Sequence, residues 1–241
     1  MRKFLFLPLL ALLASCGKNE DCDIVTPQPE DLVSPALYAT LSQSSTDPYN
    51  GPLEVLPCET NGSFYIGNYT AKGKQVPFPA YYLITNGIGK SQKYPLRLPV
   101  GTYNVIYWGY PDYFGTAGDA YLADPTLIIG KKLNTTSLGL RKIPGDTVYY
   151  PIHSLVYGTQ NINIGKDDLQ AHLKHASAAL SVIVSETNGD AFSDAIDSMW
   201  IYISNIYSNL NYFSARPEGT FKTISFGLKP STNRTEFNNN L

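Results

Sequence analysis

From Ala36 to about Gly165 the chain repeats one device: a short run of alternating apolar and polar residues, closed by Gly, Pro or Asn. Side chains that alternate every second residue suit a strand with one buried face, whereas a helix would repeat its apolar positions about every 3.6 residues. The runs that read as strands are Ala36–Ser42, Gly62–Tyr69, Ala80–Thr85, Lys93–Leu98, Thr102–Gly109, Thr126–Ile129 and Thr147–Leu155. Composition agrees: 18 tyrosines against two tryptophans and two methionines, with 19 glycines and 17 prolines, favour short pleated strands joined by turns. The clearest stretch is Tyr94 to Trp108. Leu96, Leu98 and Val100 share one face opposite Arg97, Pro99 and Gly101 interrupt, and then Tyr103, Val105 and Tyr107 alternate against Asn104.

A second unit opens with Asp167–Lys174 and a predicted strand His175–Glu186, where Ala176, Ala178, Leu180, Val182 and Val184 line one face. Met199–Asn205, Leu210–Ala215 and Phe221–Gly227 read as further strands, and Ala191–Ser198 as one short helix. The expectation is an all-β chain of two tandem β-sandwich domains, residues 31–165 and 166–241. From 167 onward the second counts 75 residues, where sandwich domains run near 100. Either this domain is small or the chain is a truncated product.

The amino terminus sets location. Arg2 and Lys3 precede the apolar run Phe4 to Leu12, and Leu13-Ala-Ser-Cys16 follows, with small residues before a cysteine as a bacterial lipobox requires. Residues 1–15 read as a lipoprotein signal peptide. The run is shorter than the ~20 residues of a membrane span, so the tie to the membrane is acyl lipid on Cys16. Residues 16–30 are polar with two prolines and read as a tether. Glu20 and Asp21 resemble a surface-export signal of some Gram-negative bacteria.

Net charge is −2 and charged residues make up only 16%, so no basic field awaits nucleic acid. Cys22 and Cys58 remain once Cys16 carries lipid; if bonded, they close a loop of about 36 residues. Asn86-Gly-Ile-Gly-Lys-Ser91 resembles the end of a phosphate loop but lacks its first glycine and a following helix, so it reads as a hairpin turn. His172 and His175 face opposite sides of a strand and have no third ligand nearby, and His153 reads as structural. No Gly-x-Ser-x-Gly occurs. The loop from Tyr110 to Ala123 holds Asp112 and Asp119 among aromatics, with Asp124 directly after it. Tyr110, Asp112, Tyr113 and Tyr121 form a candidate ligand loop whose rings could stack on sugars or equally pack over a sheet edge. No catalytic residue, metal site or cofactor is expected.

The lipobox, Asp21-Cys-Asp23, the Leu98 to Trp108 segment and the restart at His172-Leu-Lys-His-Ala-Ser-Ala-Ala-Leu180 together resemble the anchor-type minor fimbrial subunits of Bacteroidetes, the FimB/Mfa2 family. The resemblance implies two transthyretin-like sandwiches, a lipid-anchored position on the surface of the outer membrane at the base of a pilus, and a fimbrial shaft subunit (fimbrillin) as partner. It departs at the early carboxy terminus. Shaft subunits of such pili are trimmed after an arginine in the first domain. Here none lies between Arg2 and Arg97, and Arg97 is expected inside a central strand; Lys72 and Lys74 lie in a plausible exposed turn. An untrimmed subunit keeps its lipid and its own edge strand, as an anchor requires.

Overall fold

The computed structural model describes residues 27–42, 46–91, 94–111, 122–152, 154–178 and 180–239. The fold is all-β. Its strands are β1 (Leu32–Val33), β2 (Leu37–Ser42), β3 (Thr46–Pro48), β4 (Gly51–Glu59), β5 (Asn68–Tyr69), β6 (Gln75–Val76), β7 (Ala80–Thr85), β8 (Ile88–Ser91) and β9 (Leu98–Pro99). There follow β10 (Gly101–Gly109), β11 (Leu122–Ala123), β12 (Ser137–Leu140), β13 (Val156–Ile164), β14 (Leu169–His175), β15 (Ile183–Ser185), β16 (Met199–Asn211), β17 (Pro217–Pro230) and β18 (Glu236–Asn238).

The first sheet runs β14-β13-β10-β4-β7-β8-β2-β3, and β14 also pairs with β2, so seven of the strands form a closed ring with β3 appended. Closure is parallel, in register from Leu37↔Leu169 to Leu41↔Leu173. Sequence places the start of the second unit near 166, but β14 belongs to this first sheet. The ring encloses Leu53, Val55, Ile84, Val105, Tyr107, Val156, Ile162 and Leu173, all buried. Asn86 (φ 49°) and Gly87 (φ 75°) make the tight β7–β8 turn, the left-handed pair that suits a two-residue hairpin.

Two strands beside β10 escape the sequence reading. β4 contains Pro52 and Pro57, which argue against a central strand. At each proline β4 pairs with a strand of the sheet on one edge only, Pro52 with β7 and Pro57 with β10. On the other edge the proline carbonyl still accepts from an N–H, that of Tyr110 for Pro52 and of Ile66 for Pro57, and no strand there requires an N–H in return. β13 alternates buried Val156, Gly158, Ile162 and Ile164 with polar residues and pairs with β10 along its whole length.

The second sheet runs β11-β12-β16-β17-β18-β15. Its spine is one long hairpin. β16 is continuous across Met199–Asn211, where sequence predicts two separate strands, because bulges at Ile203/Ile206 and Tyr207/Asn209 absorb the break in alternation. Phe192, Phe226, Leu228 and Phe237 form its own small core. No helix forms over Ala191–Ser198, and the expected strand His175–Glu186 shrinks to β15. Thr126–Ile129 is not a strand, Thr147–Leu155 contributes among its described residues only Tyr149, which bridges to Lys142 and to Ile224, and Val100 is 65% exposed rather than sharing the buried face of Leu96 and Leu98.

Candidate functional site: the junction between the sheets and the groove beside it

β10 is buried on both faces at its end. Val105 and Tyr107 point into the ring; Ile106 and Trp108 point out of it, against Leu138, Leu210 and Tyr212 of the second sheet. The indole of Trp108 stacks on Tyr212, 5.5 Å between centroids at 8°, and lies tilted on Tyr157 at 4.9 Å and 55°. Its Nε1–H donates to the Tyr212 carbonyl at 3.0 Å, and the Tyr157 hydroxyl donates to the Phe213 carbonyl. The turn that presents these carbonyls is held by Asn211, whose Oδ1 accepts from the Phe213 and Ser214 N–H groups at 3.1 Å while its Nδ2 donates to Asn134 at 2.8 Å. Both sheets are therefore joined by apolar contact and by directional bonds that fix their relation.

Glu54 on β4 faces the same junction. Burial of its carboxyl pushes the pKa from 4.5 up to about 7, against the opposing effect of hydrogen bonds from Tyr81 and Tyr212; the nearby Asp124 adds to the rise. The margin of the residue reaches solvent, but the carboxyl itself is enclosed.

The residues singled out by sequence are dispersed. Cys16 and Cys22 lie outside the described residues, as do Asp112, Tyr113, Tyr121 and His153. Tyr110 packs on the junction cluster, and burial pushes its hydroxyl well above the ordinary range, so it is not an open stacking platform. Cys58 is fully buried in the junction, where desolvation pushes its thiol up to about 12. His172 and His175 do lie on β14; the Nδ1 of His172 bonds the Thr40 hydroxyl at 3.0 Å. Arg97 lies in the segment before β9 rather than in a central strand, its N–H donating to Asn68 Oδ1 at 2.8 Å. Lys72 and Lys74 are exposed in the β5–β6 turn. A cut there that released the preceding residues would withdraw β2 and β4 from the closed sheet.

Beside the junction, the second sheet leaves a groove of about 640 Å³. Ile203, Ile206, Ile224 and Phe226 form its floor, and Ala176, Ala178 and Leu180 face them. On the opposite surface of the hairpin Trp200 and Tyr202 are 57 and 61% exposed, while Tyr207, which lines the groove, packs on Phe221 at 4.8 Å between ring centroids. Sequence reasoning missed this surface, although the alternation of Trp200 and Tyr202 with Ile201 and Ile203 announces a strand that is apolar on both sides. Among the described residues no group of three His, Cys, Asp or Glu could hold a metal ion. The chemistry on offer is apolar contact and backbone hydrogen bonding.

One family model matches most of the chain. The model for fimbrillin-A associated anchor proteins Mfa1 and Mfa2 matches residues 26–240. Among solved structures, the fimbrial anchor protein Mfa2 from Porphyromonas gingivalis aligns with TM-score 0.49 and 11% identity, over 84% of this chain and 70% of that one. A candidate adhesin from Bacteroides ovatus aligns with TM-score 0.49 and 14% identity, over 87% and 67%. A candidate polysaccharide-binding protein from Bacteroides thetaiotaomicron aligns with TM-score 0.48 and 15% identity, over 85% and 70%. No curated protein sequence matches the chain. With the family model spanning both sheets, the chain belongs to the fimbrillin-A associated anchor proteins Mfa1 and Mfa2.

Proposed function

We propose that this protein is a lipid-anchored minor fimbrial subunit that holds a pilus to the outer membrane and pairs by β-strand with a fimbrillin-type shaft subunit. Acyl chains on Cys16 supply the membrane tie, residues 16–30 the tether, and the two sheets the body that meets the shaft. Family membership across residues 26–240 is the observation that carries the reading.

The fold suits the task physically. Within a few residues of the tether the chain enters β2, which pairs with β14 in parallel over five residues and with β3 and β8 on its other edge. Force drawn along β2 loads those ladder bonds together rather than one after another. The directional bonds at Trp108 and Tyr157 then carry that force into the second sheet.

The test is mass spectrometry on protein extracted from membranes of the native cell. The expected result is an amino-terminal peptide beginning at acylated Cys16, with a shaft subunit co-purifying. A terminus beyond Lys74 without lipid would overturn the anchor reading, and an acylated terminus with no fimbrial partner would remove the pilus from it.

A further inference from the structure

We propose that the outer edge of β16, from Met199 to Tyr207, receives an extended strand of a neighbouring fimbrial subunit, which extends the second sheet and covers its groove. The inference rests on the anchor reading and specifies where the strand pairing occurs.

β16 pairs with β17 along one edge. On its other edge β12 occupies only Asn209 to Asn211, through Gly139, Leu138 and Ser137. Among the described residues no backbone group bonds the edge between Met199 and Tyr207. At ~3.3 Å per residue this leaves about 30 Å of strand whose outward N–H and C=O groups lack a protein partner.

Soluble proteins blunt such an edge with lysine, proline or an inward charge. Here the segment Met-Trp-Ile-Tyr-Ile-Ser-Asn-Ile-Tyr contains no charged residue and no proline. Its bulge beyond Ile203, with Asn205 at φ 63°, leaves Met199–Ile203 as a regular stretch in unbroken register with β17. An edge of this composition favours association.

The occupant follows from the same chemistry. An incoming strand aligned on Met199–Ile203 would satisfy the outward ladder. Its alternate side chains would point toward the apolar groove floored by Ile203 and Phe226, and the others would lie beside exposed Trp200 and Tyr202. Both rows of neighbours are uncharged, so the matching segment is apolar on both faces and free of charge where it pairs. A β-strand of another chain fits these demands, as strand addition to a sheet edge does generally. A glycan would leave the ladder unsatisfied.

Hydrogen exchange, read on the full chain alone and on pili purified from native cells, decides the matter. In the isolated chain the outward amides of Met199–Ile203 are expected to exchange at least 100-fold faster than those bonded to β17; in the pilus they are expected to slow by at least 100-fold. With a photoreactive benzoylphenylalanine at Tyr202, the cross-link is expected on an extended segment of a shaft subunit. Absence of this chain from the pili would overturn the anchor reading itself. Presence in the pili with unprotected edge amides would overturn the edge assignment alone. Slow exchange in the isolated chain, or a cross-link to a second copy of this protein, would also overturn it. Trp200→Lys, at an exposed position, is expected to keep the melting temperature and reduce recovery in pili at least tenfold; unchanged recovery counts against the proposal.

Discussion

The Tyr212 hydroxyl donates to Glu54 Oε2 at 3.0 Å, joining the turn that follows β16 in the second sheet to β4 in the first. That bond sits where solvent is largely displaced, and Glu54 has a carboxylate, Asp124, rather than a cation among the charges that shift it. Junction stability should therefore depend on pH. The folded-state pKa, about 7, is raised above the ordinary 4.5, so the contribution of Glu54 is present in full below pH 4.5 and is lost as pH rises through 7. Each tenfold change in proton affinity corresponds to ~1.4 kcal/mol, so the loss amounts to about 3 kcal/mol at most. Urea denaturation between pH 5 and 8 checks it, and Glu54→Gln, which still accepts from Tyr212, is expected to flatten the profile and to exceed the parent at pH 8.

Trp108 fills the middle of the same junction with no exposed surface. Trp108→Ala is expected to cost about 3–5 kcal/mol, as large-to-small changes of buried aromatics do. Its particular signature is the loss of a single cooperative transition, since the indole both packs on Tyr212 and donates to its carbonyl. Calorimetry of the variant should resolve two transitions where the parent has one.

Closure of the first sheet depends on a missing side chain. A Cβ on Gly158 would stand 2.7 Å from the backbone oxygen of His172, which cannot swing aside as a side-chain tip could. Gly158→Ala should push β13 from β14 and destabilise the protein by roughly 1–3 kcal/mol. Amides of β14 are expected to lose protection against hydrogen exchange before those of β10.

Cys58 should be chemically silent in the folded protein. Its thiol is buried and pushed up to about 12, so almost no thiolate exists at pH 8. Iodoacetamide at pH 8 is expected to leave Cys58 unmodified in native protein and to label it in denaturant without reductant. Failure to label even then would point to a bond with Cys22.

How far the sequence reveals this arrangement differs by element. β2, β7 and most of β10 follow from period-two alternation because each buries a single face at most positions. β4 is obscured by Pro52 and Pro57, whose tolerance depends on which edge is paired, and pairing is a tertiary fact. β14 is legible as an alternating strand, but its membership is not. Its parallel partner β2 lies 132 residues away, as the bond between Thr40 and His172 illustrates, and no local signal marks such a contact. Tyr110 resembles its loop neighbours in sequence, yet it packs in the junction, because aromatic residues serve an interior and a binding surface equally well. The exposed aromatic surface at Trp200 and Tyr202 goes unremarked because Ile201 and Ile203 already explain the strand.

The parallel seam between β2 and β14 also orders events in time. As the chain is made from its amino terminus, β2 must wait for residues 169–173 before the ring can close, and β4 must wait for β7 and β10. Pairings of such long sequence separation make folding slow relative to proteins with local contacts. A ribosome or an export channel still holding residue 160 thus presents an open, adhesive intermediate, and the final strand of the first sheet acts as its clasp.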